Sequence, residues 1–287
     1  NQTVTLDASG NASVTTPVLT VNSTYALVSV TTTATPICSQ AQTASATVTV
    51  TALPTASISG STTICSGSTA VISFTGTANS VVTYTVDGGA NQTITLDATG
   101  NASVTTPALT TNSTYALVSV TATTTPACTN TASGSAVVTV LALPTSAISG
   151  ATTICSGATA VVSFTGTPNA TITYTVDGGA NQTILLDATG NASVTTPVLT
   201  ANSTYNLVSV ASATTPVCNN TASGSVTITV NALPTANVTA NTICSGTTGT
   251  VSFTGTANAV VTYTVDGGAN QTVTLDASGN ASVTTPV

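Results

Sequence analysis

The chain has no lysine, arginine, histidine, methionine or tryptophan in 287 residues, and its seven acidic groups are all aspartate. Each absence removes a class of chemistry. Without lysine or arginine nothing neutralises phosphates, which excludes nucleic-acid binding by counterion release and attachment to anionic lipid through a basic patch. Without histidine there is no ordinary general base near neutral pH and no imidazole ligand for a metal. The missing lysine also excludes lysine–asparagine isopeptide cross-links, and the many Ser and Thr hydroxyls have no base to activate them as nucleophiles. An enzyme is therefore the least expected class.

Charge is scarce altogether. Only 2% of residues are charged against 41% hydrophobic, with a net charge of −7 and a pI near 4.1. That composition lies far from the low-hydrophobicity, high-charge regime of disordered chains. The mean hydropathy of +0.44 comes from Ala and Val spread through the sequence. Its longest apolar runs are of the kind AVVTVLAL at Ala136 to Leu143, well short of the roughly 20 residues a spanning helix needs. No membrane insertion is expected in this segment.

What the chain does have is repetition. The segment opening with NQT at Asn1 returns at Asn91, Asn181 and Asn270, a spacing of 90, 90 and 89 residues, and YTVDGGANQT stands unchanged from Tyr84, Tyr174 and Tyr263. A period this long exceeds a solenoid repeat and suits a small self-contained β domain. Residues 1–18 and 270–287 are identical, so the chain reads as a window cut from a longer array. The expected divisions are 1–53, the C-terminal part of one repeat; 54–143 and 144–233, two complete repeats; and 234–287, the N-terminal part of a fourth.

Thr, Val, Ile and Tyr dominate each repeat, and their alternation predicts strands. In the first complete copy these are Thr55 to Ser59, Thr69 to Thr75, Val81 to Val86, Gln92 to Leu96, Ala102 to Thr106, Tyr115 to Thr121 and Ala136 to Ala142. Ala70, Ile72 and Phe74 should face inward with Val82, Tyr84, Val86, Ile94 and Leu96. Asp97 to Asn101 has the form of a type I turn closed by a left-handed Gly100. Seven short strands in about 90 residues predict an all-β chain of tandem immunoglobulin-like seven-stranded β-sandwiches. Tyr115, with Tyr25 and Tyr205 in the same place, opens the penultimate strand where a tyrosine corner would sit. The short ALPT linkers at Ala52, Ala142 and Ala232 carry a stiffening proline, so neighbouring domains are expected to stack head to tail in a semi-rigid rod.

With one Phe and two Tyr per repeat the core is thin, and the cysteines are candidates to reinforce it. Cys38, Cys65, Cys128, Cys155, Cys218 and Cys244 recur two per repeat, a pattern that reads as disulfides and hence export. If each domain closes on itself the pairs are Cys65 with Cys128 and Cys155 with Cys218, with Cys38 and Cys244 bonded outside the window. Immunoglobulin topology puts the two positions at opposite ends of a sandwich, so an interdomain pair, Cys65 with Cys218, is the alternative. Reduced, buried thiols are a third.

Asp87, Asp97, Asp177 and Asp187, with Asp7, Asp266 and Asp276, are the sole side-chain carboxylates. Each falls at a hairpin turn and is expected to cap backbone N–H groups. Catalytic use would need a carboxylate pair with divergent pKa values, and calcium would need a denser run of oxygen ligands than any present. No cofactor is expected, calcium being the only candidate. Asn-x-Ser/Thr sequons recur at Asn91, Asn101, Asn112, Asn181, Asn191 and Asn202, as chance alone would supply in so Asn- and Thr-rich a chain, and mark possible glycosylation sites. Thr93 and Thr95 alternate as solvent-side strand residues do, without calling for an ice-binding face.

The pattern P-T-x-x-I-S-G-x-T-T-I-C-S-G, then Y-T-V-D-G-G, N-S-T-Y-x-L-V-S-V and a late Cys before V-x-V, resembles the immunoglobulin- or PKD-like repeats of giant Bacteroidota surface proteins, which themselves resemble gliding-motility adhesins exported by type IX secretion. The resemblance implies an extracellular shaft that projects a binding tip from the cell surface, whose partners are further copies of the same repeat in the same chain. Two other roles are compatible with the residues: a laterally self-associating sheath or surface-layer polymer, and a carbohydrate-binding module acting by avidity.

Overall fold

The computed structural model describes residues 1–286. Every regular element in them is a β-strand, as the Thr, Val and Ile content favours. The chain divides into two compact units, Asn1–Leu141 and Ala142–Val287.

The first unit opens with four short, mostly exposed strands: β1 (Ser23–Ala26), β2 (Ser29–Thr31), β3 (Ser39–Ala41) and β4 (Ser45–Val48). A complete repeat follows: β5 (Ala56–Ser59), β6 (Thr62–Cys65), β7 (Val71–Gly76), β8 (Val81–Val86), β9 (Gln92–Thr95), β10 (Asn101–Thr105), β11 (Ser113–Thr121), β12 (Thr129–Thr131) and β13 (Ser135–Leu141). The second unit repeats the series as β14 (Ser146–Gly150), β15 (Thr153–Cys155), β16 (Val161–Gly166), β17 (Thr171–Val176), β18 (Gln182–Leu185), β19 (Asn191–Thr195), β20 (Ser203–Ala211), β21 (Asn219–Thr221) and β22 (Ser225–Asn231). It continues with β23 (Ala236–Ala240), β24 (Thr250–Gly255), β25 (Val260–Tyr263), β26 (Gln271–Thr274) and β27 (Asn280–Thr284).

In the first complete repeat two sheets face each other. One has the order β10-β7-β5, the other β6-β13-β11-β8-β9, with β12 alongside β11. The second complete repeat has the same order, β14-β16-β19 against β15-β22-β20-β17-β18. Alternation drives the layering: in β7, Ile72 and Phe74 are fully buried while Val71 is exposed. In β8, Val82 and Tyr84 point to the same interior. Leu96, Tyr115, Val120, Ala136 and Val138 complete the core. Two-faced strands of this kind bury one side and solvate the other.

An aromatic line runs through the core. The Phe74 and Tyr84 rings lie 4.9 Å apart and Tyr84 and Tyr115 6.4 Å apart. The second repeat has Phe164, Tyr174 and Tyr205 at 4.9 and 6.2 Å. These separations fall in the range where aromatic pairs add to simple burial.

The repeat has nine strands where alternation predicts seven. Both additions come from glycine breaks. Gly60 at φ 112° ends β5, and a Cβ there would strike the Val71 carbonyl oxygen. The chain then crosses to the other sheet, where β6 pairs in parallel with β13, Thr62 opposite Val138 and Cys65 opposite Leu141. Gly134 at φ 135° separates β12 from β13, beside a register shift between Leu117 and Ser119 of β11. Thr62 to Cys65, outside the strands that alternation predicts, is thus an edge strand, and a turn follows it.

The linker prolines are fixed to the domains they introduce. Asn130 Nδ2 in β12 donates to the Pro54 carbonyl at 3.0 Å, and Asn220 does the same to Pro144 at 2.9 Å.

Each complete repeat has one buried hydroxyl without a hydrogen-bond partner, Ser80 in the first and Ser146 in the second, where the other repeat has Ala170 and Ala56. Ser80 is buried and its Oγ has no hydrogen-bond partner, whereas its counterpart Ala170 is fully buried with no polar group to satisfy. An unpartnered buried hydroxyl costs on the order of 1–3 kcal/mol. Ser80→Ala should therefore stabilise the first unit by about 1 kcal/mol, read as a higher urea midpoint. An unchanged or lower midpoint would show that the hydroxyl has a use.

Candidate functional site

The seven carboxylates are the only charged side chains, so they are where any chemistry would begin. Asp87 lies at the end of β8 with φ 53°, a left-handed conformation that Asp tolerates better than most residues. Its partners are not in its own turn. Oδ1 accepts the Thr114 N–H at 2.6 Å and Oδ2 the Ser113 hydroxyl at 3.0 Å, while the Asp87 N–H donates to the Thr114 carbonyl at 2.8 Å. The residue ties the β8–β9 turn to the start of β11, 27 positions on. Asp177 repeats the arrangement with Thr204 and Ser203, at 2.7 and 3.0 Å. The expectation of local turn capping is corrected here to a tie across the sheet. Both carboxylate oxygens are already engaged by protein donors.

Asp97 works locally. Its Oδ1 accepts from the Thr99 N–H at 2.8 Å, the Thr99 hydroxyl at 2.7 Å and the Asn101 N–H at 2.9 Å. Asp187 does the same with Thr189 and Asn191. Asp7 and Asp276 hold the corresponding backbone N–H pairs. Asp266 has φ 52°. Donors aimed at a carboxylate favour its ionised form. The Thr99 hydroxyl bond foremost, then the Asn101 and Thr99 backbone N–H groups, holds the Asp97 carboxyl below the ordinary carboxylate range, and Thr189 does the same for Asp187. Among the described residues no group of three or more His, Cys, Asp or Glu side chains could hold a metal.

The sequon asparagines fall into two kinds. Asn101 and Asn191 donate Nδ2 to the Thr99 and Thr189 hydroxyls at 2.9 and 2.8 Å. Asn112 and Asn202 accept the Val140 and Val230 N–H groups at 2.8 Å. These amides brace the fold. Asn91 and Asn181 instead stand exposed in the β8–β9 and β17–β18 hairpins.

Tyr115 and Tyr205 are buried inside β11 and β20 at 3% exposure, whereas Tyr25 is 40% exposed. No hydrogen bond links the Tyr115 or Tyr205 hydroxyl to upstream backbone among the described residues, so the expected tyrosine corner is not formed. The rings stack on Tyr84 and Tyr174 instead. The bonded hydroxyls are those of Tyr84 and Tyr174, which donate to Gln92 and Gln182 Oε1 at 3.1 and 3.0 Å. Burial pushes both phenols above their ordinary range, Tyr115 adding to the effect at Tyr84. Sequence reading missed these glutamines. It also missed Thr106 and Thr196, buried threonines that accept the Ala70 and Ala160 N–H groups at 3.0 Å and donate to the next proline carbonyl at 2.8 Å. A hydroxyl in a strand-like Thr run carries no sign that it faces inward.

The cysteines depart from the intradomain pairing. Cys65 and Cys218 are disulfide-bonded, but Cys128 and Cys155, their expected partners, are free thiols, as are Cys38 and Cys244. Topology gives the reason. Cys65 lies opposite Leu141, at the Ser113 end of β11, since β13 runs antiparallel to β11 with Val138 opposite Ser113. Cys128 closes onto Ala122, past the Thr121 end. Nine residues of strand separate these ends by about 26 Å, against the roughly 7 Å between Cα atoms that a disulfide tolerates.

Two shallow, open hollows lie on the outer face of the three-stranded sheets, one lined by Ser73, Thr75, Asp97, Asn101 and Ser103, the other by their counterparts Ser163, Thr165, Asp187, Asn191 and Ser193. Among the described residues no helix is long and apolar enough to cross a membrane.

No protein-family model and no curated protein sequence matches the chain. Among solved structures, a marsupial T cell receptor aligns with a TM-score of 0.41 at 10% identity, covering 73% of this chain and 84% of its own. A trypsin-activated α2-macroglobulin from Escherichia coli aligns at 0.26 and 11% identity, covering 88% of this chain and 23% of its own. A Salmonella α2-macroglobulin mutant aligns at 0.25 and 10%, covering 93% and 22%. Likenesses at this level say nothing of role.

The Asp97 geometry fixes a pH dependence. A carboxyl whose folded pKa lies below its unfolded value of about 3.9 contributes stability above that pH and loses it as pH falls through the folded value. The double variant Asp97→Asn, Asp187→Asn should therefore show a shallower fall of the urea midpoint between about pH 4 and 2. An acid limb as steep as the parent's would place the titrating contribution elsewhere.

Proposed function

We propose that this chain is structural: the shaft of an extracellular adhesin or filament, built of tandem immunoglobulin-like domains stacked head to tail, with no catalytic role. The observation that carries this reading is the repetition of whole mechanical ties at 90-residue spacing. Asp87 with Thr114 recurs as Asp177 with Thr204, and Asn130 with Pro54 recurs as Asn220 with Pro144. A binding or catalytic module would be expected to vary or elaborate one site. This chain reproduces the same braces and engages six of its seven Asp carboxylates with protein donors. In such an array stability is close to a sum over repeats and nearest-neighbour joints. The resemblance to Bacteroidota surface repeats supports the cell-surface placement, as does the use of disulfide-bonded cysteine.

A second reading, lateral association into a sheath or surface layer, is favoured by one feature. The outer face of the β5-β7-β10 sheet carries Ser57, Thr75 and Asn101 in one row and Ser59, Ser73 and Ser103 in the next, uncharged hydroxyl and amide side chains bordered by the Asp97 carboxylate, which offer little repulsion to side-by-side packing.

An antibody against the YTVDGGANQT segment should label intact cells of the source organism as strongly as permeabilised ones. Labelling confined to permeabilised cells would overturn the shaft reading.

A further inference from the structure

The six cysteines are of two kinds. Cys65, Cys155 and Cys244 belong to the TICSG motif, the first two ending β6 and β15 opposite Leu141 and Asn231. Cys38, Cys128 and Cys218 stand in the loop before β3, β12 and β21. The nine-residue length of β11, about 26 Å, keeps the two kinds apart within a complete repeat, at opposite ends of its sandwich.

One member of each kind is disulfide-bonded, Cys65 of the first and Cys218 of the second. The backbone around the thiol members matches that around the bonded ones. The Cys65 carbonyl accepts the Ser68 N–H at 3.0 Å and the Cys155 carbonyl the Ala158 N–H at 3.1 Å. In the loop kind, the carbonyls of Cys38, Cys128 and Cys218 each accept one N–H from the residue just past a strand, Thr32, Ala122 and Ser212, all at 2.9 Å. The Cys155, Cys38 and Cys128 positions are therefore already framed as the bonded positions are, while Cys244, outside any strand, shares only the turn, its carbonyl accepting the Thr247 N–H at 3.2 Å. Cys38, Cys155 and Cys244 are exposed, and Cys128 is half-buried.

We propose that the four thiols are half-sites for covalent joining to further copies of this repeat. Cys155 and Cys244 each take a loop cysteine, and Cys38 and Cys128 each take a TICSG cysteine. Unlike half-sites at opposite ends make a heterologous, non-closing connection, which extends into a filament instead of closing as a dimer. The oxidant is a small disulfide such as oxidised glutathione. The thiolate of Cys155 attacks one of its sulfurs and releases one glutathione. The thiolate of a loop cysteine then attacks the mixed disulfide, forms the new S–S bond and releases the second. Two protein thiols are oxidised, one glutathione disulfide is reduced, and the two protons pass to the released glutathiones. The proposal does not depend on the cell-surface reading, since it concerns which sulfurs join and not where the chain resides.

The test is oxidation of the 287-residue chain in a glutathione redox buffer, followed by non-reducing electrophoresis and peptide mass spectrometry after cleavage at Asp. The expected result is a ladder of covalent multimers whose new cross-linked peptides join Cys155 or Cys244 to Cys38 or Cys128. The Cys155→Ser, Cys244→Ser variant, which leaves Cys65 and Cys218 in place, should lose the ladder. A parallel arm uses a chain with residues 144–233 inserted once more. One additional disulfide within that chain would assign the joining to successive repeats of one molecule, and a ladder alone would assign it to separate molecules. Mixed glutathione disulfides with no protein–protein bond in either arm would overturn the proposal. So would like-with-like pairs, such as Cys155 to Cys155, at the frequency of random encounter.

Discussion

No side chain here can answer a carboxylate with a cation, so the Asp residues that are held at all are held by N–H and O–H donors, as six of the seven are, and the architecture is arranged around those few attachments. Asp87 carries the heaviest duty. With one oxygen on the Thr114 N–H and the other on the Ser113 hydroxyl, it secures the start of β11, the longest strand in the repeat at nine residues. Strand β11 pairs with β8, β12 and β13 and supplies Tyr115, Leu117 and Val120 to the core. A charge-assisted bond to backbone is stronger than a neutral one, so one aspartate does what an exposed ion pair, worth about 0–1 kcal/mol, would do less well.

The same economy governs the interior. With Phe74, Tyr84 and Tyr115 the only aromatic rings in a repeat, the core relies on them meeting tilted or stacked, and on Ile72, Leu96, Val82, Val120 and Val138 being fully buried around them. Polar groups enter only where they complete a backbone bond. Thr106 takes the Ala70 N–H, which has no strand partner, and passes its own proton to the Pro107 carbonyl. A buried hydroxyl with both duties filled costs little, whereas Ser80 has neither.

Period-two alternation made the inward set legible from the residues alone: Ala70, Ile72, Phe74, Val82, Tyr84 and Leu96 are the buried positions it selects. The turn at Asp97 was legible too, because Asp, Thr and Gly100 at that spacing have few other uses, and Gly100 sits at φ 80°. What alternation could not carry was any feature that depends on a partner far along the chain. The parallel pairing of β6 with β13 spans some 76 residues. Asp87 looks like a local turn residue because its partners, Ser113 and Thr114, are distant in sequence. The tyrosine corner failed for a related reason: position within a strand does not reveal whether a phenol reaches backbone or a ring reaches another ring.

The cysteines are the sharpest case of topology deciding chemistry. Spacing within a repeat, Cys65 to Cys128, suggests a loop of ordinary length for a stabilising disulfide, and nothing in composition argues against it. Once β11 is fixed as a nine-residue strand with the TICSG end at Ser113 and the loop end at Thr121, the pair is separated by several times the reach of a disulfide. A repeat that cannot close on itself has its two sulfurs presented at opposite ends, one giving and one receiving. The thinness of each core and the placement of its thiols are then complementary, because covalent reinforcement that cannot act within a repeat is available between copies.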